Sequence, residues 1–80
     1  MAKIVCVEDE PGLLEDIAAT LEMAGHTVIQ AANGALGLAA ILQEKPDLTL
    51  SDVLMPIMSG HDLLRELREN EATANLPVIV

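Results

Sequence analysis

The sequence contains no Phe, Tyr or Trp. Any core must therefore come from Leu, Ile, Val, Ala and Met. Basic residues are almost as scarce. Lys3, Lys45, Arg65 and Arg68 stand against 13 acidic residues, for a net charge of −9. That balance argues against direct binding to nucleic acid or to an anionic membrane surface, both of which need basic patches. It suits a chain that binds cations or a basic partner face. Cys6 is the one cysteine, so no disulfide can form within the chain. No apolar run approaches the roughly 20 residues a membrane helix needs. No signal peptide precedes Lys3–Val7. A reducing, cytoplasmic setting is expected.

Eighty residues bound the chain to one domain. At 51 % apolar it is no disordered tail, although its core must be thin.

Ile4–Val7 is a short apolar run rich in β-branched residues, the pattern of a strand covered on both faces. Pro11 suits the first turn of a helix. Leu13, Leu14, Ile17, Ala18 and Leu21 then make an apolar stripe at helical spacing. Met23 is expected to pack near the end of that helix, and Gly25 to stop it. Thr27–Ile29 reads as a second strand and 31–34 as a turn. Helix two runs from Gly34 to Gln43 with Leu38, Ile41 and Leu42 as its stripe, although Gly34 and Gly37 each weaken it by roughly 1 kcal/mol relative to Ala. Leu48–Ser51 is the third strand, made unusually polar by Thr49 and Ser51. Ser59 and Asp62 have capping-box spacing ahead of a third helix, marked by Leu63, Leu64 and Leu67 and ending near Asn70. A polar connector, 71–75, leads to a fourth strand beginning at Leu76. The order βαβαβαβ with short connections implies a parallel sheet with helices on both faces.

Two acidic groups fall at strand ends: Glu8-Asp9-Glu10 after the first strand and Asp52 after the third. Open α/β sheets bind ligands at the carboxyl ends of their strands. Neighbouring strands lie about 4.8 Å apart. If strands one and three are adjacent, Glu8, Asp9 and Asp52 gather at one edge. Carboxylates that close repel each other, and a hard cation such as Mg²⁺ is the natural counterweight. A carboxylate can also act as a nucleophile and form an acyl phosphate. Glu10 reads as an ordinary helix-start acid. His26 and His61 read as solvated turn and helix-start residues, and Met55 and Met58 as loop packing.

Taken together, 5–11, 32–34, 46–52, 55–60 and 76–79 resemble the receiver domain of two-component response regulators, in order and spacing, over essentially the whole chain. The resemblance implies an α/β, flavodoxin-like, doubly wound parallel sheet. It implies that residues 1–80 are the amino-terminal two thirds of a receiver domain, lacking the last strand and helices. It makes Asp52 the phosphoacceptor for a histidine kinase or histidine phosphotransfer protein, and makes the module a signalling domain rather than an enzyme. It assigns Mg²⁺ to Asp9 directly, Glu8 through water, Asp52, and the Leu54 backbone carbonyl. Pro56 and Gly60 are to shape the loop between Asp52 and helix three. A hydroxyl after strand four and a Lys after strand five complete the family's site beyond Val80, so phosphotransfer by these 80 residues is expected to be impaired.

The open edge of strand four is expected to pair copies into a homo-oligomer. The alternative reading is a structural, oligomerising fragment without phosphotransfer. A phosphatase of the haloacid dehalogenase type also uses a strand-end Asp, but it needs a second acid where Leu54 stands.

Overall fold

In the computed structural model, which describes residues 1–55 and 57–80, seven elements alternate along the chain. They are β1 (Lys3–Val7), α1 (Pro11–Met23), β2 (Thr27–Ala31), α2 (Gly34–Glu44), β3 (Leu48–Ser51), α3 (Gly60–Glu69) and β4 (Val78–Ile79). The strands form one parallel sheet in the order β2-β1-β3-β4. β1 is thus central, pairing Val5 with Ile29 on one side and with Thr49 on the other.

Alternation along β1 sends its side chains to two layers. Val5 and Val7 join Ala31, Ile41 of α2, and Leu63 and Leu67 of α3 in the main cluster. Ile4 and Cys6, also buried, point the other way, where Ile17 of α1 shares a cleft with Cys6 and Leu50. Burial, and then the charge of Glu8, push the Cys6 thiol pKa up. That suits a small core residue and not a reactive thiol.

The helix ends follow local chemistry. Pro11 opens α1, and Gly25 follows its end at φ 94°, a left-handed value that costs glycine little. Asn33 caps α2, its Oδ1 accepting from the Leu36 N–H at 2.8 Å. Ser59 caps α3, its Oγ accepting from the Asp62 N–H at 3.1 Å.

Several expectations need correction. Leu13 and Leu42 are exposed, because their helices turn narrower apolar faces to the sheet than the leucine spacing suggests. Met23 is 89 % exposed instead of packed at the end of α1. The capping box is half formed, since the Asp62 carboxylate turns to Arg65 at 3.1 Å. Ala31 belongs to β2 and not to the turn, paired with Val7. β4 begins at Val78, two residues later than expected. His26 is half-buried, and its Nδ1 accepts from the Ala2 N–H at 3.1 Å.

The glycines of α2 trade helix propensity for close packing. A Cβ on Gly37 would lie 2.6 Å from Cγ2 of Val7, and one on Gly34 would lie 2.7 Å from Cβ of Met58. The helix can therefore approach β1 and the loop after β3 as no residue with a side chain would allow. The polarity of β3 is only partly answered. Ser51 Oγ donates to the Asp52 carbonyl at 3.0 Å, while Thr49 is fully buried with no partner for its Oγ1 among the described residues.

Candidate functional site

The carboxyl ends of β1 and β3 are tied together by backbone. The Asp52 N–H donates to the Val7 carbonyl at 3.1 Å, and the Glu8 N–H donates to the Ala31 carbonyl of β2 at 3.0 Å. These two bonds extend the ladder one residue past each strand. They bring the acids that follow β1 beside the acid that follows β3.

Glu8, Asp9 and Asp52 each present a carboxylate oxygen, and these oxygens lie within 4.8 Å of one another. Their environments differ. Glu8 is buried, with 6 % of its surface exposed, whereas Asp9 and Asp52 are open to solvent. The burial falls on Glu8, although Glu8 and Asp52 each lie one residue beyond their strand.

Burial pushes the Glu8 pKa up. The Asp9 carboxyl and the charges of Asp52 and Asp9 push the same way, and the hydrogen bond from the Glu10 N–H opposes them. That bond, to Glu8 Oε2, is 3.0 Å long. Three oxygen donors in mutual repulsion, one of them desolvated, form a donor set that fits a hard divalent cation.

Asp52 is held at its base. Its Oδ1 accepts from the Val53 N–H at 2.8 Å. The Gly60 N–H donates to the Val53 carbonyl at 2.9 Å, closing the loop onto the first turn of α3. Leu54 follows with its side chain 81 % exposed. Pro56, expected to shape this loop, lies outside the described residues. Met55 and Met58 pack against the main core, in line with their reading as loop packing.

Glu10 does more than its position suggested. It is the N-cap of α1, its carboxylate oxygens accepting from the Gly12 N–H at 3.0 Å and the Leu13 N–H at 2.7 Å. The signal was present as an acid directly before Pro11, although Glu is an uncommon cap. Glu10 therefore turns its charge to the helix, while Glu8, Asp9 and Asp52 face one another.

A doubly wound parallel sheet with an acidic pocket at the carboxyl edge of its inner strands defines a class of ligand-binding α/β domain. Within that class the chain belongs to the response regulator receiver domain family, which matches residues 4–80. These are signalling domains of two-component systems.

Protein PilH of Pseudomonas aeruginosa is 41 % identical over 80 residues, covering 100 % of this chain and 66 % of PilH. The N-terminal domain of a response regulator receiver protein from Methanoculleus marisnigri superposes with a TM-score of 0.94 at 32 % identity, covering 98 % of this chain and 63 % of that one. The response regulator TrrA of Thermotoga maritima, in complex with Mg²⁺–BeF, gives 0.84 at 31 % identity, covering 89 % of this chain and 62 % of that one. The chain thus spans about two thirds of the length of these relatives. No helix among the described residues is long and apolar enough to cross a membrane.

Proposed function

We propose that this chain is the phosphoacceptor module of a cytoplasmic two-component relay and that Asp52 takes the phosphoryl group. The convergence of Glu8, Asp9 and Asp52, with oxygens within 4.8 Å, carries this reading. The donor is a phosphohistidine on a histidine kinase or a histidine phosphotransfer protein. A carboxylate oxygen of Asp52 attacks phosphorus. The P–O bond forms as the P–N bond breaks, and the histidine nitrogen keeps the bonding pair. The Val53 N–H, bonded to Oδ1, fixes the carboxylate so that Oδ2 is free to attack. Exposure of Asp52 lets a protein donor reach it.

The cofactor that fits is Mg²⁺, which Asp9, Asp52 and the Leu54 backbone carbonyl would hold, with Glu8 acting through water. When bound, it neutralises charge on the transferring phosphoryl group. The TrrA complex with Mg²⁺–BeF supports this choice of ion for the family. Glu8 supplies a buried negative charge behind the site, which the ion offsets.

The test is the mass of the 80-residue chain after incubation with Mg²⁺ and acetyl phosphate. A gain of one phosphoryl group that disappears in Asp52→Asn is expected. Mg²⁺ binding without a gain in mass would instead leave a structural unit that does not transfer.

A further inference from the structure

The ends of α2 and α3 carry side chains that folding alone does not favour. Leu42, near the end of α2, is 42 % exposed. Glu66, Glu69 and Glu71 lie in the last turn of α3 and just beyond it, and all three are exposed. Acids there face the negative end of the helix dipole, where basic residues stabilise. Among the described residues the ion pairs are Lys3–Glu44 and Asp62–Arg65, so none of the three is paired. Arg68, the basic residue of that turn, donates instead to the carbonyls of Thr73 and Ala74. Local rules broken together in one place point to function rather than to folding.

These side chains meet in space. Leu38 and Leu42, one turn apart on α2, line a groove with Glu66, Glu69 and Glu71. Leu42 also lines a cleft of about 280 Å³ with Ile41, Pro46, Ala72 and Leu76, which has room for a large aliphatic side chain. Thr73 borders the cleft, but its hydroxyl already donates to the Leu67 carbonyl at 2.6 Å. Lys45 alone among the cleft's lining residues is charged. Leu42 thus joins an apolar cleft to an acidic groove.

Charge decides the occupant. Among the described residues, the three carboxylates that converge on one point are Glu8, Asp9 and Asp52. Those of the groove do not converge, so the groove is no cation site. Nucleic acid and anionic membrane would be repelled. A second copy would bring its own net charge of −9. A segment with aliphatic and several basic side chains complements cleft and groove together. A crevice between two helices suits a third helix, which presents apolar anchors one turn apart with charges beside them. Both helices end at the amino edge of the sheet, where Lys3 of β1 reaches Glu44 of α2, on the opposite side from Asp52. A partner seated here leaves the phosphoryl donor's approach free.

We propose that the crevice between the ends of α2 and α3 docks a basic amphipathic helix of a second protein. An aliphatic side chain enters the cleft at Leu42, and Lys or Arg side chains lie on Glu66, Glu69 and Glu71. The inference does not depend on phosphorylation of Asp52.

The experiment uses three helical peptides of about 14 residues, roughly four turns, with leucines at i,i+3, i,i+4 or i,i+7 and lysines beside them. A matching set has glutamate in place of lysine. Each is titrated into the isotope-labelled chain with Mg²⁺ present, at an ionic strength of about 0.15 M to screen long-range attraction, and followed by NMR. At least one lysine peptide is expected to bind, with amide shifts concentrated in 38–46 and 66–76, and the glutamate set is not. Leu42→Gln should weaken binding about tenfold, the effect of losing one anchor. The triple variant Glu66→Gln, Glu69→Gln, Glu71→Gln should weaken it at least as much. Leu36→Gln, at an exposed leucine in the first turn of α2, should leave it unchanged. All of these positions are exposed, so thermal midpoints should hold. If that of Leu42→Gln falls, the glutamate variant carries the comparison.

No binding by any lysine peptide would overturn the proposal. So would shifts centred on Asp9 and Asp52 or scattered over the surface, the mark of a basic peptide drawn to an acidic chain in general. Equal affinity of the unaltered chain and a folded Leu42→Gln would do the same.

Discussion

Gly60, the first residue of α3, rests on the backbone carbonyl of Asp52 with no room between them for a side chain. A Cβ there would collide with the carbonyl oxygen and lie 3.1 Å from both the Asp52 carbonyl carbon and the Val53 Cα. Those are backbone atoms, which cannot swing aside as a flexible side chain can. Gly60→Ala should therefore lower stability by about 1–3 kcal/mol, the usual cost of overpacking. It should also slow labelling of Asp52 by acetyl phosphate, because the carboxylate moves with its backbone. Urea denaturation and the mass assay read the two effects. An unchanged midpoint would show that the contact is slack.

Thr49 offers a gain in stability. Its hydroxyl is buried in the sheet without a partner among the described residues. Thr49→Val keeps the shape and removes the orphaned group, so stability should rise by about 1–3 kcal/mol. A lower urea midpoint for Thr49→Val would mean that the hydroxyl does find a partner in solution.

The raised pKa of Glu8 sets the sign of one pH dependence. A carboxyl whose folded pKa lies above its unfolded value favours the fold fully below the unfolded value. That advantage is lost as pH rises through the folded pKa. The window therefore opens at the ordinary glutamate value of 4.5 and extends upward. Without divalent cations, the unaltered chain should lose stability across this window relative to Glu8→Gln, which stays neutral throughout. Added Mg²⁺ should restore the unaltered chain at neutral pH and do less for Glu8→Gln. Parallel denaturation curves for the two chains at every pH would remove Glu8 from this role.

Asp9 is the proposed direct ligand, so Asp9→Asn should weaken Mg²⁺ binding by at least about tenfold, or ~1.4 kcal/mol. The same change should leave the urea midpoint in metal-free buffer unchanged or higher, since it relieves repulsion among the three acids. Isothermal titration and denaturation in chelator check both halves. Undiminished affinity would place the cation elsewhere.

Much of the fold and most of the candidate site could be read along the chain. The β-branched run at Ile4–Val7, Pro11 before an apolar helix, and Gly25 after it are local signals, and each sits where its chemistry placed it. The strand-end acids Glu8, Asp9 and Asp52 were legible for the same reason. Strand ends in an α/β chain are marked by the switch from apolar to polar residues.

Other features depended on contacts between distant segments. Nothing in the spacing of α1 says that Leu13 stays in water while Leu14 is buried. That depends on how steeply the helix crosses the sheet. Glu8 and Asp52 look alike as strand-end acids, yet only Glu8 is buried. Both β1 and β3 run between two neighbours, so strand position alone does not separate the two acids.

The sequence by itself determined the order of elements, the acids at their ends and the acidity of the whole, because propensity, capping and charge act over a few residues. Only the tertiary structure decided which acid is desolvated and why Gly34, Gly37 and Gly60 carry no side chain. Those depend on what lies across the sheet, and distance along the chain does not record it.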